Sequence, residues 1–582
     1  VYDEDGIPRH VIFSTADNAH RICNSYKLDD DAAAGDDPIV KPLDDGSIVA
    51  HYSGKGRGGE YALHLLKHEE ELDVTLLTLP LAHSNFYGFA IPLPNEKHTE
   101  WSISAAFGDS GIDMFSVKDL EHLVPAILED KKLYRGKNLR ISAERKTMEE
   151  VATLFSNIFG KDVIYNPLTV EEMAALPLPS APAMAQMCQF LSSTPSLHDI
   201  EITEAMMFPR KPQMFKDWLL TNSDNPAFEA VGLSVEANPI LSVVVFGATS
   251  EQGTSVINGL LNDKRKQYKI RATSRRISQK RAQALKALDP DRVELFQCNL
   301  DDMESCKRAA EGCDGAFLVT DFYGDAGMNE DVEEKHARNV IDACEAAHSV
   351  RHLVFSTMES VVEMNRHYDL GLPVLECDKT GRKSVVPSFD AKARAAAYAR
   401  TKQLSCTFVL MPLYSESFFE MLAPEEQEDE NGRKSLVMHV PEEDVQVMCM
   451  SVEELGPIVA NIFDSYEVYA GHEIGLVTDF VSIKEVAETI TETFYKEEDN
   501  HGNIKETKVE KKDVTIETWV EKQDTHMKDL RQIYGYLSKN DAVKRRRSMA
   551  QTLQLLPDAT PFSKWMEQNR DNKSFKMKLG LR

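Results

Sequence analysis

The sequence predicts an α/β protein with a doubly wound parallel sheet and a smaller α/β domain, duplicated in tandem. Two observations support this prediction. Short apolar runs alternate with helix-like segments from Ser242 onward, and several stretches of the chain return later in the same order. Alternating strands and helices favour a parallel sheet with helices on both faces. Recurrence in a constant order indicates a duplication.

The elements of the second copy can be placed one after another. Val243–Phe246 is a β-branched apolar run that ends at Gly247, as expected of a buried parallel strand. The helix that follows has Val256, Ile257 and Leu260 on one face. The later elements alternate in the order strand 268–276, helix 279–288, strand 291–300, helix 305–313, strand 315–322, helix 331–347 and strand 351–357.

The duplication explains the length of 582 residues. "RHVIFST" returns as "RHLVFST", and "FKDWLLTN" returns as "FSKWMEQN" with Trp218 matched to Trp565. Four collinear matches exceed what chance similarity of apolar strands would give. The matched segments are 9–15 with 351–357, 73–89 with 405–421, 115–130 with 450–465 and 215–222 with 562–569.

The matches also predict the domain boundaries. Residues 1–222 form a partial copy without a dinucleotide-binding loop, truncated at its N-terminus, and 223–240 form a linker containing Pro226, Gly232 and Pro239. Residues 241–582 form a complete copy. Within it, 241–400 are mainly the nucleotide-binding part and 401–582 mainly the smaller part that lines the cleft.

The first strand-to-helix turn of the complete copy, "GATSEQG", predicts a phosphate-binding loop. Gly247 and Gly253 are six residues apart, as the outer glycines of such a loop are, and helix N-terminal amides favour an anionic pyrophosphate. Ser250 stands at the middle glycine position, where a Cβ would crowd the backbone. A serine with negative φ fits, and its hydroxyl could donate to a phosphate oxygen, so we expect binding to be retained but weaker.

Two further strand ends support a dinucleotide site. Arg275 and Arg276 end the second strand, where arginine suits a ribose 2′-phosphate and an acidic residue suits NAD. Asn299 and Leu300, which end the third strand, could flank an adenine. These positions predict NADP as the cofactor, with NAD as the alternative.

The complete copy resembles the NmrA-like family of the atypical short-chain dehydrogenase/reductase superfamily, whose loop reads G-A-T-G-x-Q-G. "VTDFY", "RHLVFST", "DAKARAAAY" and "MPLYSESFF" extend the resemblance along the copy, and the first copy fits the later part of the same pattern. The resemblance implies a Rossmann-type domain and a smaller α/β domain with a cleft between them. It implies that cofactor is bound by Gly247, Thr249, Ser250, Gln252, Gly253, Arg275, Arg276, Asn299, Leu300, Thr320, Ser356 and Lys392.

Catalysis is left open by the residues around the expected lysine. Short-chain reductases use a tyrosine acid/base four residues before that lysine. Lys392 and Lys55 match the lysine of the family, but Ser388 and His51 stand at the two tyrosine positions. Lys392 is therefore one candidate catalytic residue, and Tyr414 in "MPLYSE" is the other. In the first copy, Ala82 replaces Tyr414.

Composition excludes several classes of protein. A net charge of −28 argues against nucleic acid as a partner, and no run approaches the roughly 20 apolar residues of a membrane span. Nine scattered cysteines without a C-x-x-C pair predict a reducing compartment, the cytoplasm, and show no metal spacing. The basic run Lys544–Arg547 could be a nuclear signal, but a solvated helix face is the commoner meaning of such a run.

Three functions remain open. The first is an NADP(H)-binding regulatory, redox-sensing protein whose cofactor state is read by a protein partner, with the two copies packed as a pseudo-dimer or offering a partner surface. The second is an NAD(P)H-dependent oxidoreductase that takes a small carbonyl or enone compound in the cleft. The third is a structural protein that has lost cofactor binding.

Overall fold

A computed structural model of the chain divides it into two units, residues 1–238 and 239–582. It describes residues 10–15, 55, 57, 59–62, 64, 73–129, 131–178, 180–193, 200–207, 210–234, 239–376, 382–428, 434–442, 446–498, 504–506, 509–515, 518–519, 530–539, 543–544 and 546–581.

The first unit contains three small sheets. A parallel sheet has the strand order β1-β2-β7, and two mixed sheets have the orders β3-β6-β8 and β4-β5-β9. The strands are β1 His10–Thr15, β2 Asp73–Thr78, β3 Leu81–Ala82, β4 Leu93–Pro94, β5 Trp101–Ala105, β6 Ile112–Phe115, β7 Asn138–Arg140, β8 Glu144–Lys146 and β9 Val163–Pro167.

The helices of the first unit surround an aromatic core. Phe215 and Trp218 stack with ring centroids 5.5 Å apart, and Phe155 packs against Phe215. The helices are α1 Leu120–Glu129, α2 Lys131–Tyr134, α3 Met148–Phe159, α4 Val170–Ala174, α5 Ala181–Ser193, α6 Ile200–Met207, α7 Phe215–Thr221 and α8 Pro226–Ala230, with 3-10 turns at His83–Tyr87 and Val117–Asp119.

The second unit is built on a parallel sheet of seven strands in the order β12-β11-β10-β13-β14-β17-β22. Smaller sheets have the orders β18-β21-β23, β19-β20-β26, β15-β16 and β24-β25. The strands are β10 Ser242–Phe246, β11 Lys269–Ser274, β12 Val293–Gln297, β13 Gly315–Leu318, β14 His352–Thr357, β15 Leu375–Glu376, β16 Lys383–Ser384, β17 Ser405–Leu410, β18 Leu413–Tyr414, β19 Glu425–Glu428, β20 Lys434–Pro441, β21 Gln446–Met450, β22 Glu473–Gly475, β23 Asp479–Ser482, β24 Lys496–Glu498, β25 Ile504–Glu506 and β26 Val509–Val514.

Helices connect these strands along the second unit. They are α9 Glu251–Asn262, α10 Lys280–Leu288, α11 Met303–Ala310, α12 Glu330–Ala347, α13 Val361–Tyr368, α14 Pro387–Arg400, α15 Phe418–Met421, α16 Leu455–Asp464, α17 Tyr466–Tyr469, α18 Ile483–Phe494, α19 Leu530–Leu537, α20 Met549–Leu555, α21 Phe562–Gln568 and α22 Lys573–Lys578, with 3-10 turns at Ser415–Ser417 and Val452–Glu454.

The order of the seven-stranded sheet confirms the predicted doubly wound fold. The chain runs outward from β10 to β12 and then returns to β13 on the other side of β10. Because parallel crossovers are right-handed, this reversal places helices on both faces. It also opens a crevice at the carboxyl ends of β10 and β13, which is where ligands bind in such sheets.

Two glycines bring helices α9 and α16 into backbone contact. A Cβ on Gly259 would lie 2.2 Å from the carbonyl carbon of Gly456, and a Cβ on Gly456 would lie 2.2 Å from the oxygen of Ser255. The Ser255 hydroxyl accepts the N–H of Gly456 at 3.0 Å. The first helix of the nucleotide-binding half and a helix of the later half therefore cross at a separation that only glycine permits.

The duplication is visible in both topology and hydrogen bonds. Sheets β1-β2-β7, β3-β6-β8 and β4-β5-β9 repeat β14-β17-β22, β18-β21-β23 and β19-β20-β26 in order and strand direction. Asp119 accepts the N–H of Gln213 at 3.1 Å, and Glu454 accepts that of Thr560 at 2.7 Å at the matching place. The repeated sequence segments thus fold alike.

The structure corrects the extent of the predicted linker. Residues 223–234 belong to the first unit, because they contain α8 and bury Phe228 and Leu233 in the core around Phe215. Ile240 is buried in the second unit, where its side chain lies beside Gly315. The prolines and glycines of this segment interrupt a stretch that is nevertheless packed. Its apolar residues Phe228 and Leu233 place it in the core of the first unit.

Two strands of the seven-stranded sheet come from the part predicted to be mainly the smaller one. They are β17 and β22. In the part of the chain that the structure describes, no helix is both long and apolar enough to cross a membrane. The described cysteines are buried and form no disulfide among the described residues.

Candidate functional site

The loop after β10 has the geometry of a phosphate-binding turn. Gly247 has a φ of +82°, and a Cβ there would lie 2.4 Å from the carbonyl oxygen of Val319. A Cβ on Gly253 would lie 2.3 Å from the carbonyl oxygen of Gly247. The first glycine permits the turn and the second permits close packing of α9 on β10, so both outer positions require glycine.

Ser250 is the N-cap of α9 and uses its hydroxyl within the loop. Its φ of −77° is negative, as a serine at this position needs. The hydroxyl donates to the carbonyl oxygen of Gly247 at 2.8 Å and accepts the N–H of Gly253 at 3.1 Å. Its single proton is therefore directed at the backbone, and one N-terminal amide of the helix is already capped.

Gln252 joins the loop to the cleft residue Tyr414. Its side-chain N–H donates to the tyrosine hydroxyl at 2.6 Å, and its buried side-chain oxygen accepts no hydrogen bond from the described residues. Burial raises the pKa of Tyr414 to about 12, so the hydroxyl is protonated at neutral pH. Tyr414 thus lies beside the phosphate loop.

Lys392 is held by a buried carboxylate. Its amino group donates to the Glu333 carboxylate, and to the carbonyl and hydroxyl oxygens of Thr320 at 2.9 and 2.8 Å. The Thr320 hydroxyl donates to Glu333 at 2.6 Å. The Glu333 side chain is fully buried and that of Lys392 is 15% exposed. Since an ammonium has three protons, these three acceptors match its full capacity.

The expected tyrosine position is a buried serine. Ser388 lies in the first turn of α14 and is 4% exposed. Two residues later, the Asp390 carboxylate accepts the backbone N–H groups of Val362, Val385 and Val386 at 2.9, 2.8 and 3.0 Å. The first turn of α14 therefore carries a carboxylate that fixes the backbone of residues 362, 385 and 386.

At the end of β11, the two arginines differ in their surroundings. Arg275 forms an ion pair with Asp325, which lies in the segment between β13 and α12. Burial raises the pKa of Asp325, and the Arg275 guanidinium opposes that shift. Arg276 is exposed. Arg275 thus has a carboxylate partner where the sequence predicted a ribose phosphate.

At the end of β12, backbone contacts hold the predicted adenine residues. The N–H of Asn299 donates to the Ser305 hydroxyl at 3.2 Å, and its carbonyl oxygen accepts the Cys306 thiol at 3.7 Å. The carbonyl oxygen of Leu300 accepts the side-chain amide of Asn339 at 2.7 Å. The Asn299 side chain is exposed and Leu300 is half-buried.

The carboxyl ends of β14 and β17 are covered by later residues of the same chain. Arg547 donates to the Glu359 carboxylate and to the carbonyl oxygen of Met411, both at 3.1 Å. Tyr536 donates to the same carboxylate at 2.8 Å. The side chains of Glu359 and Arg547 are 0% and 1% exposed. Tyr536 also packs edge-on against Phe389, next to the serine of α14.

This cluster contradicts the prediction of a solvated helix face at two residues of the basic run 544–547. Arg547 is buried against Glu359, and the Arg546 side chain is 7% exposed and paired with Glu473. Buried carboxylates distant in the sequence, which composition could not reveal, account for the difference.

The structure brings several predicted site residues together. Gly247, Ser250, Gln252, Gly253 and Tyr414 form one group around the loop, and Thr320 contacts Lys392. No described contact joins Tyr414 to Lys392. Thr249 precedes the cap of α9, and Ser356 is buried in β14. No described group of three or more His, Cys, Asp or Glu side chains could hold a metal ion.

Glu333, Asp325 and Glu359 were missed from the sequence. Glu333 contacts Lys392, Asp325 contacts Arg275, and Glu359 contacts Arg547 of the basic run. Glu333 lies in the acidic stretch "EDVEEK", which has the appearance of a solvated helix face. Its partner Lys392 lies 59 residues further along the chain, so no local pattern identifies it. Asp325 and Glu359 lie in irregular segments, where the sequence carries no periodic signal.

The first unit repeats part of this site. The Thr15 hydroxyl donates to the carbonyl oxygen of Lys55 at 2.8 Å, as Thr357 donates to that of Lys392 at 3.0 Å. The Lys55 side chain is exposed. His51, at the tyrosine position, lies outside the described residues. Ala82 lies where Tyr414 does, at the end of the matching two-residue strand.

The seven-stranded sheet, its reversal at β10 and the glycine loop define an α/β protein with the Rossmann-type fold. The sequence model of the NmrA-like family matches residues 67–219 and 241–566, one segment in each unit. The chain belongs to the NmrA-like family, and its two matched segments agree with the predicted tandem copies.

Two similar relatives in the family are described differently, one as a domain-containing protein and the other as an oxidoreductase. An NmrA-like family domain-containing protein of Dictyostelium discoideum is 24% identical over 44% of this chain and 78% of its own length. An NmrA-like family domain-containing oxidoreductase of Aspergillus sp. is 26% identical over 43% of this chain and 71% of its own length.

Solved structures of NmrA, a negative transcriptional regulator, are also similar. Its complexes with NAD and with NADP each match at 18% identity over 59% of this chain and 98% of the other, with a TM-score of 0.42.

Proposed function

We propose that the second unit binds NADP(H) and that the protein is a redox-sensing regulator whose cofactor state is read by a protein partner. The observation that carries this proposal is a phosphate loop that keeps both outer glycines, together with a lysine whose three protons are all donated within the unit. Gly247 and Gly253 permit the tight turn and the close packing of the helix on the strand, whereas the Lys392 amino group is committed to Glu333 and Thr320.

The residues of this unit fit a dinucleotide. The N-terminal amides of α9 and the loop backbone would hold the pyrophosphate, Arg275 and Arg276 the 2′-phosphate, and Asn299 and Leu300 the adenine. When bound, the nicotinamide supplies hydride-transfer chemistry.

Three features support binding without turnover. Ser388 replaces the acid/base tyrosine, and Lys392 is neutralised by a buried carboxylate in place of a free role beside a ribose. The third feature is the buried pair of Glu359 and Arg547 at the carboxyl ends of β14 and β17, where a substrate would approach. Differential binding of the oxidised and reduced cofactor would then shift the populations of two conformations.

The second candidate is an NAD(P)H-dependent oxidoreductase of a small carbonyl or enone compound. The description of the Aspergillus relative as an oxidoreductase favours it. Under this function Tyr414, protonated at neutral pH and joined to the phosphate loop through Gln252, is the proton donor.

The test begins with a titration of NADPH and NADP⁺ against the purified full chain, followed by nicotinamide fluorescence. We expect saturable binding, unchanged in Lys55→Met of the first unit. A chain that binds neither form is the structural protein of the third hypothesis, and both cofactor proposals are then wrong. NADPH oxidation with a panel of aldehydes, ketones, enones and quinones decides between the other two. If the wild type oxidises NADPH with one of these compounds and Tyr414→Phe does not, the protein is the oxidoreductase. If the wild type shows no turnover, the result supports the sensor.

A further inference from the structure

The core between the sheet and helices α11 and α12 is rich in cysteine. Five of the chain's nine cysteines belong to this single apolar cluster. They come from β12, α11, β13, α12 and β17 or the residues directly beside them. The five are Cys298, Cys306, Cys313, Cys344 and Cys406.

Two of these cysteines are in direct contact. The sulfurs of Cys298 and Cys306 are 3.8 Å apart and share a hydrogen bond, and both thiols are free. When Cys298 is deprotonated, the Cys306 thiol can donate its single proton to the Cys298 thiolate in place of Asn299, and this hydrogen bond lowers the pKa of Cys298 and raises that of Cys306. A pair whose partners differ in this way resembles the attacking and resolving thiols of a dithiol couple.

The pair lies beside the turn that is proposed to hold the adenine. Cys298 directly precedes Asn299 in the chain, and the Cys306 thiol donates to the carbonyl oxygen of Asn299 at 3.7 Å. The neighbouring Ser305 hydroxyl accepts the N–H of the same asparagine at 3.2 Å. Residues 305 and 306 therefore contact both backbone groups of Asn299, whose carbonyl oxygen also accepts the N–H of Asp302 at 3.0 Å.

A disulfide would alter this arrangement for a simple chemical reason. Cys306 loses its only S–H proton when its sulfur is bonded to Cys298, so it can no longer donate to Asn299. The two sulfurs must also approach from 3.8 Å to about 2 Å. Both changes act on the turn that carries Asn299 and Leu300.

We propose that Cys298 and Cys306 form a reversible disulfide that weakens dinucleotide binding at Asn299 and Leu300. The proposal rests on the proposed cofactor function of this site. The oxidant is a small disulfide such as oxidised glutathione. The Cys298 thiolate attacks one glutathione sulfur and releases a glutathione thiolate, and the Cys306 thiolate then displaces the second. The two thiols lose two electrons and two protons, and one glutathione disulfide is reduced to two thiols.

Burial makes the reaction dependent on local opening. Cys298 and Cys306 are 3% and 0% exposed, whereas Asn299, Asp301 and Asp302 beside them are exposed. An oxidant reaches the sulfurs when this turn opens. A dinucleotide lying on Asn299 and Leu300 keeps the turn closed, so the cofactor slows the oxidation.

Peptide mapping of the full chain treated with oxidised glutathione tests the bond itself. We expect a linked pair of peptides containing residues 298 and 306, two fewer free thiols, and full reversal by dithiothreitol. Cys306→Ser should abolish the link, whereas Cys313→Ser and Cys344→Ser, in the same core, should retain it. A native chain that forms no such link under these conditions overturns the proposal.

NADPH titration of the reduced, oxidised and re-reduced chain tests the consequence. We expect the oxidised chain to bind at least about 5-fold more weakly, the lower end of usual coupling between sites. An equal affinity overturns the coupling. Hydrogen exchange of residues 299–302 gives a readout that does not need the cofactor, because oxidation should reduce protection there. If the reduced chain binds no NADPH, the proposed cofactor function fails, and unchanged exchange would independently refute the effect of the disulfide.

Discussion

Lys392 donates to the buried carboxylate of Glu333, a contact that joins α14 to α12 across the end of β13. Removing one partner of a buried pair leaves an uncompensated charge, which typically costs about 3–5 kcal/mol. We expect Glu333→Gln and Lys392→Met each to destabilise the second unit by about this amount.

The double variant Glu333→Gln/Lys392→Met should be less destabilised than the sum of the two single changes. Hydrogen exchange of α12 and α14 measures the difference, and Lys55→Met is the matched control because its side chain is exposed. Additive effects would show that the two groups do not stabilise each other.

Ser250 caps α9 and occupies the N–H of Gly253. Ser250→Ala should destabilise the unit by about 1 kcal/mol and Ser250→Gly by only a few tenths, as N-cap substitutions do. Ser250→Gly should also bind NADPH about 3-fold more tightly, since it releases one helix amide and removes the Cβ. Paired unfolding and fluorescence titrations give both numbers. Weaker binding in Ser250→Gly would mean that the hydroxyl contacts the phosphate directly.

Arg275 is paired with Asp325 in the described structure, so the carboxylate competes with a 2′-phosphate for the same guanidinium. Asp325→Asn should raise the affinity for NADPH relative to NADH. Arg275→Ala should weaken NADPH binding by about 10-fold and leave NADH nearly unchanged, because a charged hydrogen bond is lost. Competition titrations with both cofactors measure the ratio. An identical ratio in all three proteins would exclude Arg275 from selectivity.

Asp119 predicts a pH dependence of the first unit. Burial raises its pKa from 3.8 to about 7, against the hydrogen bond from the N–H of Gln213. The folded state therefore binds a proton that the unfolded state releases between about pH 4 and 7. Stability from this group is present below pH 4 and is lost as the pH rises through 7.

The wild type should thus lose up to about 4 kcal/mol from this group relative to Asp119→Asn between pH 4 and 8. Urea titrations of both proteins at several pH values measure the difference, since other ionisations cancel in it. A difference that does not vary with pH would show that Asp119 titrates at its ordinary pKa.

The sequence was sufficient to predict the nucleotide-binding fold but less of the site. Alternating apolar runs located β10 to β14, because a parallel strand buried on both faces leaves a local pattern. The pairing of Glu333 with Lys392, 59 residues apart, leaves none. The same holds for Glu359 and Arg547, 188 residues apart. A charged residue is read from the sequence as solvent-exposed when the partner that buries it lies far along the chain.

The crossing of α9 and α16 shows that the two copies are not interchangeable parts. Gly456 makes that crossing, and Glu121 occupies the matching position of the first unit, on α1. A helix docked on α1 at the same separation would meet the glutamate side chain at its backbone. A segment transplanted from residues 242–350 onto the first unit would therefore not pack in the same way until Glu121 was replaced by glycine. The side chain of Glu121 therefore distinguishes the first unit from the second at this helix crossing.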